Sequence, residues 1–349
     1  MFSTYRPEDV TILLKDITGM VTPLGTKERE RLIQNGVHYS EMLPVEYVPS
    51  KAYLNLFFEA MKLYSKKTAE AVASLAKQIC AEKQREVVLV SLARAGTPIG
   101  ILIKRYIEQK YHKSVYHYTI SVIRGKGIDK NAMDYILMRH RPESIQFVDG
   151  WIGKGAIQRE LIQAMADYSG VDAGLAVLSD PAGIASRAGT NEDFLIASSC
   201  LNSTVSGLLS RTFFRKDIIG PGEFHGAVFY KELMGEDLTY TFIHSVEVCF
   251  FEESGMHQEK KLAMSGIDEV YNICRDFHIR DINLVKPGIG EATRVLLRRM
   301  PWKILVHSLD DSRYLGHLYQ LAQEKDVQLV EYPLRNYRAC GLIQSLADN

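Results

Sequence analysis

Apolar positions along the chain fall into two patterns, and their order predicts the architecture. From Ala52 to Lys83, Leu54, Phe57, Phe58, Met61 and Tyr64, then Ala71, Val72, Leu75 and Ile79, recur at helical spacing, so one long helix or two joined ones lie there. Glu86 to Ser91 is a short continuous apolar run and reads as a buried strand. A small-residue turn, Leu92 to Gly100, follows, with Pro98 placed for the first turn of a helix running to about Tyr111. The alternation continues: strand Tyr116 to Ile123, helix Lys130 to His140, strand Ile145 to Asp149, helix Gln158 to Tyr168, strands Gly174 to Ser179 and Phe194 to Ser198, helix Ser203 to Phe213. Strands and helices alternating at this spacing imply βαβ units, so the expected class is α/β with a mainly parallel sheet covered by helices on both faces. Residues 1 to 50 are Pro-punctuated and read as an extension or hood.

After the polar segment 251 to 255 a second unit begins, which sets the expected domains at 1–254 and 255–349. Helix Lys261 to Phe277, strand Asp281 to Val285, helix Gly290 to Arg299, strand Lys303 to His307, helix Arg313 to Lys325 and strand Val327 to Glu331 make an α-β-α sandwich large enough to fold by itself.

Composition narrows the partners. The chain has 42 basic and 42 acidic residues among its 349, so any pull toward nucleic acid must come from a local patch. No apolar run approaches the ~20 residues of a membrane span, and the N-terminus carries no secretory segment, so the expected location is the cytoplasm. The five cysteines are scattered without a C-x-x-C pair, which indicates neither a disulfide framework nor a zinc site, and no residue set reads as a direct metal ligand. A homo-oligomer is left open.

The chemistry concentrates at Ile145 to Ile157. A buried strand ends in Asp149, a Gly-Lys-Gly turn follows, and a helix begins, so main-chain N–H groups, a helix dipole and Lys154 converge where an anion would sit. Arg94 and Arg124 end neighbouring strands, and ligands of such sheets collect at that edge. The segment resembles the phosphoribosyl pyrophosphate (PRPP) loop of type I phosphoribosyltransferases, with Gly150 in place of that family's second acid. Ser91 to Pro98 resembles the family's pyrophosphate loop, and Ser121 to Gly127 its mobile loop. The resemblance implies a phosphorylated sugar as ligand, with Mg²⁺ accompanying PRPP. Asp149 would meet ribose hydroxyls, Arg94 with Ala95 and Gly96 the diphosphate, Gly153, Lys154, Gly155 and Ala156 the 5′-phosphate, and Arg124 the covering loop.

A different chemistry is suggested at Cys200, placed between a strand and a helix with Asn202 or Ser203 as N-cap, because a thiol at a helix N-terminus is favoured as thiolate. His225 and Asp180 complete a candidate Cys-His-Asp set. The alternative for Cys200 is a core residue, and for Asp180 a turn framing the base pocket.

In the second unit, Lys286 to Arg294 contains a Gly turn opening a helix with Glu291 and Arg294 on one face, a combination suited to a splayed RNA base and its phosphate or, more plainly, to an ion pair on a solvated helix. The unit resembles the Pelota RNA-binding domain and its kink-turn-binding relatives through Gly288, Glu291 and Arg294, with Gly290 where that signature has Asn. This implies RNA contact through Lys286, Gly288, Gly290, Glu291 and Arg294. The pairing of the two units is similar to proteins of bacterial tellurium-resistance and stress-response operons, a family also named cysteine protease StiP. Three functions follow as expectations: a PRPP-binding enzyme acting on a base or nucleotide-like acceptor and coupled to an RNA-binding module, a cysteine protease with Cys200 as nucleophile, or a non-catalytic ligand sensor.

Overall fold

The computed structural model describes residues 2–251 and 265–344. The expected domain boundary at 254/255 and the start of the helix expected from Lys261 lie outside them.

The first unit is built on a six-stranded, wholly parallel sheet in the order Thr11–Ile12, Val115–Ile120, Val87–Leu92, Ile145–Trp151, Leu175–Ser179, Arg187–Thr190. Inner strands such as Val87–Leu92 and Leu175–Ser179 read as nearly continuous apolar runs because both faces are covered. Val87 and Leu89 pack toward the 32-residue helix Lys51–Glu82 and the helix Gly96–Tyr111, while Val88 and Val90 point the other way, to Lys130–Leu137 and Ala156–Met165. The α/β class is as expected, and the helix from Ala52 is a single one.

Several expected elements take another form. Phe194 to Ser198 is not a strand; the sixth strand is Arg187–Thr190, and Phe194 leads through buried irregular chain into the 3₁₀ turn Ala197–Ser199. The helix expected over Ser203 to Phe213 is one 3₁₀ turn, Ser203–Val205. Its polar side chains hold other partners, Ser203 Oγ on Glu46 and Ser206 Oγ on the Asn202 carbonyl, and Gly207 and Leu208 turn to positive φ. Tyr116 to Ile123 divides at Ser121 into Val115–Ile120 and Val122–Ile123, the latter forming a hairpin with Gly127–Ile128. The first 50 residues supply the edge strand Thr11–Ile12, a strand Lys15–Asp16 paired with Gly226–Ala227, and the helix Thr26–Gln34.

The second unit has helices Gly266–Asp276, Ile289–Arg298 and Ser312–Glu324 about a four-stranded sheet ordered Val285–Pro287, Ala339–Ile343, Pro301–Val306, Gln328–Glu331. Ala339–Ile343 was not expected and occupies a central place, antiparallel to both neighbours. The apolar core is continuous between units: Ile289, Ala292, Val295 and Leu296 belong to the same buried cluster as Phe57, Leu75 and Phe194. Tyr53 Oη donates to the Leu297 carbonyl at 2.7 Å across this junction.

Candidate functional site

Asp149 ends an interior strand beside the Gly96 turn. A Cβ on Gly96 would stand 2.4 Å from the Val148 carbonyl oxygen, so only glycine lets the helix Gly96–Tyr111 start against that strand end. The Asp149 carboxylate accepts from Gly150 N–H at 2.8 Å. Burial pushes this carboxyl up to about 7, with the Gly150 bond and the Arg294 charge pulling the other way and Glu291 reinforcing the rise. An acid poised near neutrality in a cleft is suited to proton transfer.

The corner opens into a cleft of roughly 940 Å³ lined by Ala95, Arg124, Asp149, Trp151 and the whole Gly153–Ala156 turn. Gly155, at φ +71°, precedes the first residue of the helix Ala156–Met165, so the turn opens a helix as expected. The far wall comes from the second unit: Lys286, Glu291 and Arg294 line the same cleft. Part of each set therefore faces one space, whereas Arg94 lines a side pocket and Gly288 and Gly290 a separate small cavity.

Some of these side chains have fixed partners. Lys154 Nζ donates to the carbonyls of Ile282 (2.6 Å) and Val285 (2.9 Å), and burial lowers its ammonium to about 8, with Lys286 repelling it further. It ties the units together rather than pointing freely at an anion. Arg124 reaches across to Asn283 Oδ1 at 2.8 Å. Arg94 donates to the Leu209 carbonyl and to Asn202 Oδ1 at 2.6 Å, and with Ala95, Trp151, Ser199 and Arg294 it lines a small side pocket. Lys286 is lowered by burial first, with Glu291 opposing.

On the second unit, Arg294 Nη1 meets Glu291 Oε1 at 2.9 Å, the i,i+3 pair, and its guanidinium lies 5.6 Å from the centre of the Trp151 ring. The first amide of the helix Ile289–Arg298 already has an acceptor. Asp193, from the first unit, accepts from Ile289 N–H with both oxygens and from Arg338 N–H at 2.8 Å. Gly288 holds φ +97° with its N–H on the Ala339 carbonyl, and a Cβ on Gly290 would stand 3.3 Å from Ser199 Oγ.

The Cys-His-Asp candidates have other neighbours. Cys200 is 2% exposed within the apolar core, following the 3₁₀ turn. His225 Nδ1 pairs with Ser121 Oγ at 2.9 Å, its backbone N–H donates to Asp129, and its ring packs on Phe214. Asp180 accepts from the Ile184 and Ala185 amides, both at 2.7 Å. Ser121 and Asp180 follow strands three places apart in the sheet, roughly 14 Å at ~4.8 Å per strand. The acid beside His225 is Asp129 rather than Asp180, and Asp180 serves a turn.

Sequence reading missed Trp151, which forms part of the cleft wall between the units; an aromatic two residues beyond a strand-end acid was the available signal. It also missed Asp193. Among the described residues no group of three or more His, Cys, Asp or Glu side chains is placed to hold a metal ion, and no helix is long and apolar enough to cross a membrane.

Comparison with known proteins gives two family matches: residues 3–247 match the model described as tellurite-like stress resistance cysteine protease StiP, and residues 264–345 match the PELOTA RNA binding domain. A curated relative, cysteine protease StiP of Acinetobacter baylyi, is 37% identical over 364 residues, covering 98% of this chain and 94% of that protein. Among solved structures, a hypoxanthine-guanine phosphoribosyltransferase from Bacillus anthracis is similar with TM-score 0.28 and 18% identity over 36% of this chain and 76% of its own. A Trypanosoma cruzi hypoxanthine phosphoribosyltransferase variant bound to IMP gives TM-score 0.30 and 14% identity over 49% and 90%. Likeness this slight carries neither substrate nor mechanism across.

Proposed function

The chain belongs to the StiP family of tellurite-like stress resistance cysteine proteases, and from that premise we propose that it is a cysteine hydrolase of a stress response with Cys200 as its nucleophile. Family membership over nearly the whole chain is the observation that carries this reading. Burial does not single out a thiol, since it pushes Cys80, Cys274 and Cys340 up and Cys200 is itself only 2% exposed; the choice of Cys200 rests on its place in the chain. The neighbours of Cys200, namely Ser199, Leu201 and Asn202, line the side pocket beside Arg94 and Trp151. The thiol itself is sealed behind them, so attack on a carbonyl requires this turn to open. His225, whose ring is held by Ser121 Oγ at Nδ1 and whose backbone N–H donates to Asp129, is the candidate base.

The test is hydrolysis of a denatured protein substrate by the full chain, with iodoacetamide labelling read by mass spectrometry. Cys200→Ala is expected to lower the rate by about 10³-fold or more, the scale of nucleophile loss in such enzymes. An unchanged rate would end the assignment of Cys200.

A second reading, a phosphorylated-sugar site served by Asp149, Arg94 and the Gly153–Ala156 turn, is favoured by one observation: the turn, the near-neutral carboxyl and the cationic residues of both units line one open cleft. Mg²⁺ is held by one or two carboxylates plus substrate phosphates, so Asp149 would fit it only with the ligand's oxygens completing the shell. RNA contact through Lys286, Glu291 and Arg294 belongs to this cleft too, supported by the Pelota match, while Gly288 and Gly290 line a separate small cavity beside Asp193 and Phe194.

A further inference from the structure

Two arginines on the hood side of the cleft, and a buried tyrosine within electrostatic reach of both, hold donors that have no acceptor among the described residues. The helix Thr26–Gln34 brings Arg29 to the cleft wall, and Arg211 reaches the same wall from the irregular chain following Leu209. The Nε atoms of both arginines are buried and have no hydrogen-bond partner among the described residues, and the same holds for the hydroxyl of Tyr230, a side chain only 5% exposed. Arg211 spends its Nη2 on the carbonyls of Tyr39 and Met42, which fixes the guanidinium in place and leaves Nε unused.

These charges crowd one another. Burial lowers Arg211 to about 9, and Arg29 and Arg94 repel it further; Arg29 is lowered by burial, with Arg299 repelling and Glu30 attracting. The nearby acids are engaged elsewhere: Glu30 pairs with Arg299 at 3.0 Å, and Glu46 accepts from both the backbone N–H and the hydroxyl of Ser203. A buried guanidinium without a counter-ion is costly, and a fold that keeps two of them side by side gains when an anion arrives.

We propose that Arg29, Arg211 and Tyr230 form a binding subsite for a phosphate group on the hood side of the cleft, separate from the Gly153–Ala156 turn and independent of any chemistry at Cys200. A phosphate suits it better than a carboxylate because it brings three terminal oxygens to three unpartnered donors, two of them on charged groups. The group can arrive on a free phosphorylated metabolite or on the phosphorylated end of an RNA.

The experiment is calorimetric titration of the full chain with inorganic diphosphate, then with a short RNA carrying either a 5′-phosphate or a 5′-hydroxyl. Wild type is expected to bind diphosphate, Arg29→Gln to weaken it at least tenfold, and Tyr230→Phe to weaken it several-fold with an unchanged melting temperature. Arg211→Gln also removes the hold on Tyr39 and Met42, so Arg29→Gln and Tyr230→Phe are the deciding variants. A 5′-phosphate advantage on RNA that vanishes in Arg29→Gln assigns the group to an RNA end; diphosphate binding without that advantage assigns it to a small ligand. Absence of diphosphate binding at millimolar concentration, or wild-type affinity in both deciding variants, overturns the proposal.

Discussion

Two aspartates of the first unit meet the second unit on opposite terms. Asp193 is buried and bonded across the seam: its oxygens accept from Ile289 and Arg338 amides, and its own carbonyl accepts from Arg338 Nε at 3.2 Å. Burial raises it to about 6, while those bonds and the Arg338 charge hold it down. Asp149 accepts from Gly150 N–H at the edge of an open cleft and rises to about 7. A carboxylate offers about four acceptor sites, so Asp193 uses its capacity to hold the two units in register, while Asp149 keeps capacity facing a ligand-sized space. The seam is rigid where the acid is satisfied and open to chemistry where it is not.

The comparison breaks most visibly at the seam. Asp193→Ala leaves the Ile289 and Arg338 amides buried without their acceptor, and the expected loss is on the order of 2–4 kcal/mol, from stranded donors and a lost helix cap. Urea unfolding measures it, and two separated transitions in place of one are expected as the second unit uncouples. A change below about 0.5 kcal/mol, within the range of ordinary surface substitutions, would mean that the continuous apolar core alone holds the seam.

Much of the frame was legible in the sequence because strands buried on both faces are mostly apolar: Val87–Leu92 and Leu175–Ser179 are apolar runs broken only by a serine. Ala339–Ile343 was illegible because it is central yet begins with three small residues. A Cβ on Gly341 would stand 2.9 Å from Val295 Cβ, so close helix packing, rather than strand propensity, selects glycine there. Asp149 and the Gly153–Ala156 turn could be located because strand, turn and helix are contiguous. The link from Asp193 to Ile289 spans 96 positions, and no local pattern announces it. Separation in sequence likewise hid the fact that Glu291 and Arg294 face Asp149, and it allowed His225 to be matched with Asp180 when its neighbour is Asp129.

Asp149 sharpens the comparison through pH. Its folded carboxyl sits near 7 against an ordinary 3.8, so between those values the folded protein keeps a proton that the unfolded chain has lost. The group's contribution to stability is therefore full below about pH 4, falls as pH rises, and levels off above about pH 7. Asp149→Asn removes that slope: the variant is expected to match wild type at about pH 4 and to exceed it at about pH 8 by on the order of 1–3 kcal/mol. Urea titrations at the two pH values measure this. Identical pH slopes in both proteins would show that Asp149 titrates normally, and the contrast with Asp193 would lose its basis. In the same variant any melting shift given by PRPP with Mg²⁺ is expected to disappear.

The smallest effect on stability separates an ion pair from a ligand contact. Glu291 and Arg294 make a partly exposed i,i+3 pair, a type worth about 0.2–0.5 kcal/mol, so Arg294→Ala should scarcely move the unfolding midpoint. Its guanidinium nevertheless stands over Trp151 on the cleft wall, where a stacked base and its phosphate would meet both. If RNA occupies the cleft, Arg294→Ala weakens binding of a single-stranded oligonucleotide by about tenfold and lowers the dependence of log affinity on log salt by about 0.7, the loss of one phosphate contact. Fluorescence anisotropy over a salt series reads both quantities. Wild-type affinity with wild-type salt dependence would reduce Arg294 to the partner of Glu291, and the second unit would then serve the cleft as a wall rather than as a reader of nucleic acid.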